Sequence, residues 1–220
     1  MARSGFFVTL EGLDGCGKTT QIGRLAQQLR TRGIDPVVAQ EPGGTRTGRS
    51  IRSILLHSDS TDLQPHAEVL LYFASRVQNL TEVILPALEA GRVVICDRFT
   101  DATVAYQGYG RELGADTIWQ LNKIACDSEE PDLTIWLDLE PQTSLERARN
   151  RNDSQLVDEG RMESQGIDFF LRVRQGYLDI HKSDPDRFRR INANGPVDQV
   201  AATILETVLA ALRQRGLAGQ

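Results

Sequence analysis

Cysteine is scarce: Cys16, Cys96 and Cys126 are the only three in 220 residues, an odd number with no CxxC pair. That argues against a disulfide framework, and with only three histidines it also argues against a Cys/His metal site. The expected setting is a reducing cytoplasm. No apolar run approaches the ~18 residues that a membrane span requires. The run near the N-terminus, FFVTL, stops at Glu11 and is too short for a signal peptide. Positive charge is in deficit as well. Twenty-five Lys and Arg against 30 Asp and Glu leave a net charge of −5, so a broad basic face for nucleic acid is not expected. Any anion site must be local. Internal repeats and low-complexity linkers are absent too, and 40% hydrophobic residues suit a single domain, 1–220, with a sizeable core.

What is present alternates. FFVTLE (6–11), PVVAQ (36–40), RVVICD (92–97), LTIWLDL (133–139) and RFRRINA (187–193) read as strands. Between them, helical periodicity runs over Thr19–Arg32, from about Gln64 to Ala90 with an interruption at Pro86, and near 100–107, 114–126, 141–149 and 166–182. A last helix is expected over Val197–Arg215. Strands separated by helices imply βαβ units and a parallel sheet covered on both faces. One stretch breaks the pattern. RARNRNDSQLVDEGR (147–161) is polar and charged with little apolar content, and reads either as a solvated loop or as a lid.

Gly12-Leu-Asp-Gly-Cys-Gly17-Lys18-Thr19 meets every fixed position of G-x-x-x-x-G-K-[ST], and it stands between an expected strand and an expected helix start. Its glycines let successive backbone N–H groups converge on phosphate oxygens, and the helix opening adds its positive end. Lys18 can reach the outer phosphates and the Thr19 hydroxyl can ligate Mg²⁺. A nucleoside triphosphate is the expected ligand. Two strands end in an acid suited to the metal, Asp97 and Asp138. Asp97, followed by Arg98, is preferred, because Asp138 is followed by Leu-Glu-Pro and reads as a helix entry. Cys16 sits beside a helix N-terminus and Lys18, conditions that lower a thiol pKa; its plainer reading is a small residue filling the loop.

A second anion site is suggested by arginines. Arg46 and Arg49 read as solvated, whereas Arg52 lies among Ile51, Ile54 and Leu55. Arg76, in LLYFASRVQ, has apolar neighbours and is costly unless it is paired or bound to ligand. Tyr72 precedes it by one helical turn, so an aromatic plane and a fork of donors could hold a flat heterocycle; a core tyrosine with a structural arginine is the alternative. Arg98 would complete a phosphate clamp. A clamp of this kind favours a phosphorylated acceptor over a nucleoside. A GTPase-like switch is disfavoured, because Asn122-Lys123-Ile124-Ala125 lacks the Asp of N-K-x-D.

Taken in order, EGLDGCGKTTQ, EPGGT, AEVLLYFASRVQ, DRFTDATVAYQG, PDLTIWLDL and RMESQGIDFF resemble bacterial thymidylate kinase over roughly residues 5 to 193. The resemblance implies a P-loop, nucleoside monophosphate kinase-like α/β fold: a five-stranded parallel sheet flanked by helices, with a short lid at about 147–161. It implies transfer of the γ-phosphoryl of ATP to dTMP, with Mg²⁺, in dTTP synthesis. ATP would be held by Gly12, Leu13, Asp14, Gly15, Cys16, Gly17, Lys18, Thr19 and Thr20. The dTMP site would comprise Asp14, Glu41, Arg52, Tyr72, Arg76, Arg98, Thr103, Tyr106 and Gln107, with Thr19 and Asp97 at the metal. Lys18, Asp14 and Arg98 would be catalytic. Gly15 resembles the subdivision of the family that has glycine after the P-loop acid and takes arginines from the lid. Arg149 is then the first choice for the transferring group and Arg151 the second, with Arg147 as a helix-end residue. Gly160 departs from the family's late D-R-x-E, so any contact that aspartate makes to the nucleotide would be absent or supplied by Asp158 or Glu159; Glu163 is retained. The resemblance also implies a cytoplasmic homodimer with no nucleic-acid or membrane partner. Glu11 has no assigned role.

Overall fold

The computed structural model describes residues 4–152, 160–162 and 164–217, apart from the side chains of Arg151 and Asn152. Five parallel strands form one sheet: β1 (Phe6–Glu11), β2 (Val37–Gln40), β3 (Val93–Asp97), β4 (Leu133–Asp138) and β5 (Phe188–Asn192), in the spatial order β2-β3-β1-β4-β5. This is the expected sheet. Between the strands run α1 (Lys18–Arg30), α2 (Arg46–Leu56), α3 (Pro65–Asn79), α4 (Leu85–Glu89), α5 (Thr100–Thr103), α6 (Ala115–Cys126), α7 (Pro141–Asn152), α8 (Ile167–Ser183) and α9 (Val197–Gln214).

β1 shows why the sheet is doubly covered. All six of its residues are buried. Phe6, Val8 and Leu10 pack with α1 and α9 through Ile22, Leu25, Leu29, Ile204 and Val208. Phe7 faces the opposite layer, where Trp136 stacks on Tyr177 at 5.6 Å and Tyr177 on Phe188 at 6.1 Å. Each fully buried large apolar side chain contributes roughly 2 kcal/mol by removal from water. The Phe7 face turns polar toward its C-terminal end: Thr9 pairs with Thr134 at 2.9 Å, and Glu11 comes last. The period of two thus carries a carboxyl group to the C-terminal end of this central strand, on the α8 side.

The expected 64–90 helix is three pieces. α3 ends at Asn79, a π-helical turn spans Leu80–Ile84, and α4 carries Pro86 near its start. A proline has no N–H and its ring crowds the preceding turn, which a wider turn relieves. A second π-helical turn, Val104–Gly110, extends the expected 100–107 helix. α7 reaches Asn152, so the first part of the expected lid is helical; 153–159 lie outside the described residues. Among the described residues no helix is long and apolar enough to cross a membrane.

Chain order sets the site. β1 connects to β2 on one side of it, while the chain from β3 returns to β4 on the other. The loops after the adjacent strands β1 and β3 therefore diverge and leave a crevice at their C-terminal ends.

Candidate active site

That crevice opens into a cavity of about 510 Å³. Its walls include Asp14, Gly15, Gly17, Lys18, Thr19 and Thr20 from the phosphate loop, and Glu41, Arg52, Tyr72, Arg76, Asp97, Arg98, Thr103, Tyr106 and Gln107 from the other side. Gly12, Leu13 and Cys16 are buried beneath the loop, outside the lining. Nearly all the residues singled out from sequence are thus brought together. Arg149 is exposed on α7 and absent from the lining, whereas Arg147 lines it. Arg147 lies within α7, not at a helix end. The Arg151 side chain, Asp158, Glu159 and Glu163 lie outside the described residues. Arg46 and Arg49 are exposed, as expected.

The loop is bent by glycines at positive φ, and Gly15 (φ 84°) shows what else glycine allows. A Cβ there would fall 2.3 Å from the Ser144 carbonyl oxygen and 2.9 Å from the Ala148 nitrogen. α7 lies directly on the loop, and the Ser144 hydroxyl donates to the Asp14 carbonyl at 2.7 Å. Lys18 folds back, donating to the carbonyls of Gly12 at 3.0 Å and Leu13 at 3.1 Å. Cys16 is buried, and burial raises its thiol pKa despite the nearby Lys18 charge. Of the two readings of Cys16, this favours the plainer one, a small residue filling the loop, because desolvation outweighs the helix end and the lysine.

On the acceptor side, Arg76 is 1% exposed. Its Nε donates to Glu41 Oε2 at 2.7 Å and its Nη2 to Thr103 Oγ1 at 2.8 Å, while Phe73 and Phe99 each lie 4.9 Å from its guanidinium carbon. Nη1 is buried with no hydrogen-bond partner among the described residues. An unmet charged donor beside a cavity is expensive, and a ligand acceptor would satisfy it. Burial raises the Glu41 pKa, opposed by the Arg76 charge and by hydrogen bonds from Arg76 and Asn79. Arg52 reaches the Pro42 carbonyl at 3.0 Å from α2, whose first turn is capped by Thr45. Burial also raises the pKa of the Tyr72 hydroxyl, so the ring enters the cavity neutral.

Arg98 joins the two sides. Its backbone is left-handed (φ 69°). Nη2 donates to Asp14 Oδ1 at 2.8 Å and to the Tyr106 hydroxyl at 3.2 Å, and Tyr106 donates to Asp14 Oδ2 at 3.2 Å. The guanidinium also lies over the Tyr106 ring at 4.7 Å. Burial opposes its charge, but Tyr106, Asp14, Tyr177 and Asp97 outweigh that and push its pKa up. Asp97 Oδ1 is buried with no hydrogen-bond partner among the described residues, in the cavity that Thr19 also lines. The other strand-end acid is committed elsewhere: Asp138 pairs with Arg174 at 2.8 Å and Arg190 at 2.6 Å, away from the cavity. Asn122 is likewise structural, accepting from Thr100 at 3.0 Å.

Sequence reading missed one hub. Glu68, fully buried, accepts from Gln107 at 2.7 Å, Arg111 at 3.1 Å and Arg161 at 2.6 Å. Arg161 also donates to the carbonyls of Ser60 and Leu55. A signal existed. Glu68, Tyr72, Arg76 and Asn79 form a polar stripe at helical spacing along α3, among Val69, Leu70, Leu71, Phe73 and Val77.

The sequence profile described as Thymidylate kinase matches residues 10–204. The thymidylate kinase of Desulfovibrio desulfuricans is 48% identical over 212 residues, 96% of this chain and 98% of that protein. Those of Syntrophotalea carbinolica and Geobacillus thermodenitrificans are 46% identical over 212 residues and 43% over 209, covering 98% and 92% of their own lengths. The matched span contains the phosphate loop, the Asp97-Arg98 turn and the Arg76 pocket, and the chain belongs to the thymidylate kinase family, a family of phosphotransferases.

Proposed function

We propose that this chain transfers the γ-phosphoryl group of ATP to dTMP, yielding dTDP and ADP. The observation that carries the reading is a single cavity with the phosphate loop on one wall and the Arg76–Glu41 pair on another, joined at Asp14–Arg98. Phosphoryl transfer asks mostly for positioning and charge neutralisation, and a shared cavity brings donor and acceptor together.

The residues from Gly12 to Thr20 hold the donor phosphates, with Lys18 turning outward from its own loop to reach them. Tyr72 stacks on the thymine, and the free Nη1 of Arg76 meets its edge. Gln107 and Thr103 line the base and sugar, and Arg98 with Arg52 holds the acceptor phosphate. Asp14 accepts from the sugar hydroxyl, so part of its bond to Arg98 is exchanged when acceptor binds. A phosphate clamp of this kind favours a nucleotide acceptor over a nucleoside.

Mg²⁺ fits the residues present. Asp97 offers an unpartnered buried oxygen and Thr19 a hydroxyl, and among the described residues no cluster of three or more acids, histidines or cysteines exists to bind it more fully. Such a sparse set suits an ion that keeps its waters and rides on phosphate oxygens, supplying charge neutralisation. The transferring group takes its further cation from α7. The family resemblance assigns Arg149 and Arg151, in a lid of about 147–161 on a single kinase domain, and Arg147 joins them because it lines the cavity.

The chain works as a cytoplasmic homodimer. Leu70 and Val77 are 57% and 39% exposed on α3, with Ile54 at 50% on α2, an apolar face suited to a second copy. Sedimentation at graded concentration tests this: a monomer throughout would refute it. The activity itself is tested by ADP formation with dTMP, dCMP, AMP and thymidine. Preference for dTMP is expected, and equal use of any other acceptor would sink the reading.

A further inference from the structure

We infer that Glu11 is a positioning residue: it braces the backbone just after Arg98 and, through the Tyr177 hydroxyl, the Arg98 guanidinium, and so sets where the acceptor phosphate is held. This rests on the proposed kinase reading.

The geometry starts with a strained turn. Arg98 holds a left-handed φ of 69° with a side chain that disfavours it. The amides on either side of that bend are both taken by the end of β1. Arg98 N–H donates to the Leu10 carbonyl at 3.1 Å, and Phe99 N–H donates to Glu11 Oε1 at 2.8 Å. The other Glu11 oxygen, Oε2, accepts from the Tyr177 hydroxyl at 3.1 Å, and that hydroxyl in turn accepts from Arg98 Nη1 at 3.5 Å. One carboxyl group therefore touches the backbone just after Arg98 and, through one hydroxyl, the far end of the same side chain.

Glu11 is wholly buried, and among the described residues no basic side chain is hydrogen-bonded to it. It faces Asp101, a like charge, on α5, with Arg98 and Lys18 as the nearby cations, and burial above all pushes its pKa up to about 8. Burying an acid in such a place is costly. A strand end that needed only to be filled would be served at lower cost by an apolar residue. What Glu11 supplies instead is a carboxyl group whose two oxygens meet the Phe99 amide and the Tyr177 hydroxyl, the groups that flank and hold Arg98. Tyr177 is itself locked by stacking on Trp136 and Phe188, so the hydroxyl is a rigid strut.

The test is steady-state kinetics on purified full-length variants. Glu11→Ala removes both contacts, and is expected to lower kcat/KM for dTMP about fiftyfold while KM for ATP stays within about twofold. Glu11→Gln keeps an acceptor for Phe99 N–H and a polar partner for Tyr177, and is expected to recover to within about fivefold of the unaltered chain. Tyr177→Phe preserves the aromatic stack, and is expected to cost about fivefold in kcat/KM for dTMP, adding nothing further in the Glu11→Ala background. A purely structural role predicts otherwise: lower melting temperature with unaltered dTMP constants, or equal loss for both substrates that glutamine does not restore. Either result would overturn the inference. Should Glu11→Ala fail to fold, Tyr177→Phe decides, and kinetics unchanged there would refute the clamp. Failure of the unaltered chain to use dTMP would instead remove the functional reading beneath it.

Discussion

Nη2 of Arg98 lies 2.8 Å from Oδ1 of Asp14, so the loop after β1 and the turn after β3 meet as an ion pair inside the cavity. Both side chains keep some exposure, at 15% and 24%, which allows the pair to rearrange around a ligand without a large desolvation cost. Asp14→Ala should therefore lower kcat/KM for dTMP about a hundredfold and leave KM for ATP within about threefold. Equal damage to both substrates would put Asp14 on the donor side.

Gly15→Ala should be destabilising out of proportion to one methyl group. The obstacles are backbone atoms of α7 at 2.3 and 2.9 Å, which cannot rotate away, and the positive φ adds strain. A loss of about 2 kcal/mol or more is expected by urea denaturation, with kcat falling as α7 is displaced from the loop. A variant as stable and active as the parent would show that α7 is not seated there.

Arg147→Ala is expected to lower kcat about tenfold or more with KM for dTMP nearly unchanged, since Arg147 lines the cavity beside the phosphate loop. Arg149→Ala is the informative companion. A larger kcat loss there than at Arg147 would return the catalytic cation to the position indicated by family resemblance.

Glu68→Gln removes the charge shared by Arg111 and Arg161 and loosens Gln107. Breaking a buried pair on one side leaves the other uncompensated, so about 3 kcal/mol of stability should be lost. KM for dTMP should rise with it. Chemical denaturation and dTMP titration read the two effects separately, and stability unchanged would dismiss the hub.

Glu11 also makes a pH prediction. Its pKa rises from 4.5 to about 8 on folding, chiefly through burial. Between those values the unfolded chain has released a proton that the native state retains. The native state binds more protons, so stability falls as pH rises through that window. Glu41, raised by burial in the same direction, adds to the slope. Glu11→Gln has no proton to lose, so its Tm should fall less than the parent's between about pH 5 and about pH 8.5. Parallel curves for the two proteins would refute the shift.

The amino-acid sequence by itself determined the strands, the parallel sheet and the phosphate loop. Each is a local pattern: apolar runs of strand length, helical spacing between them, and glycines at the positions where backbone must curl. Arg76 was legible as well, because a charge among apolar neighbours on a helix demands an explanation wherever the helix goes. Glu68 stood on the same stripe and was passed over, since its three partners lie 39 to 93 residues away.

Tertiary structure decided what those residues face. α7 lies on Gly15 and brings Arg147, more than Arg149, to the cavity wall, which depends on helix phase and docking rather than on spacing from the loop. Burial chose between the two readings of the Cys16 thiol, because desolvation is a property of the packed chain. Glu11 marks the boundary most plainly. Its place at the end of β1 is written in a period of two, but its partners Phe99 and Tyr177 are 88 and 166 residues distant, joined to it only when β3 pairs with β1 and α8 packs on the sheet.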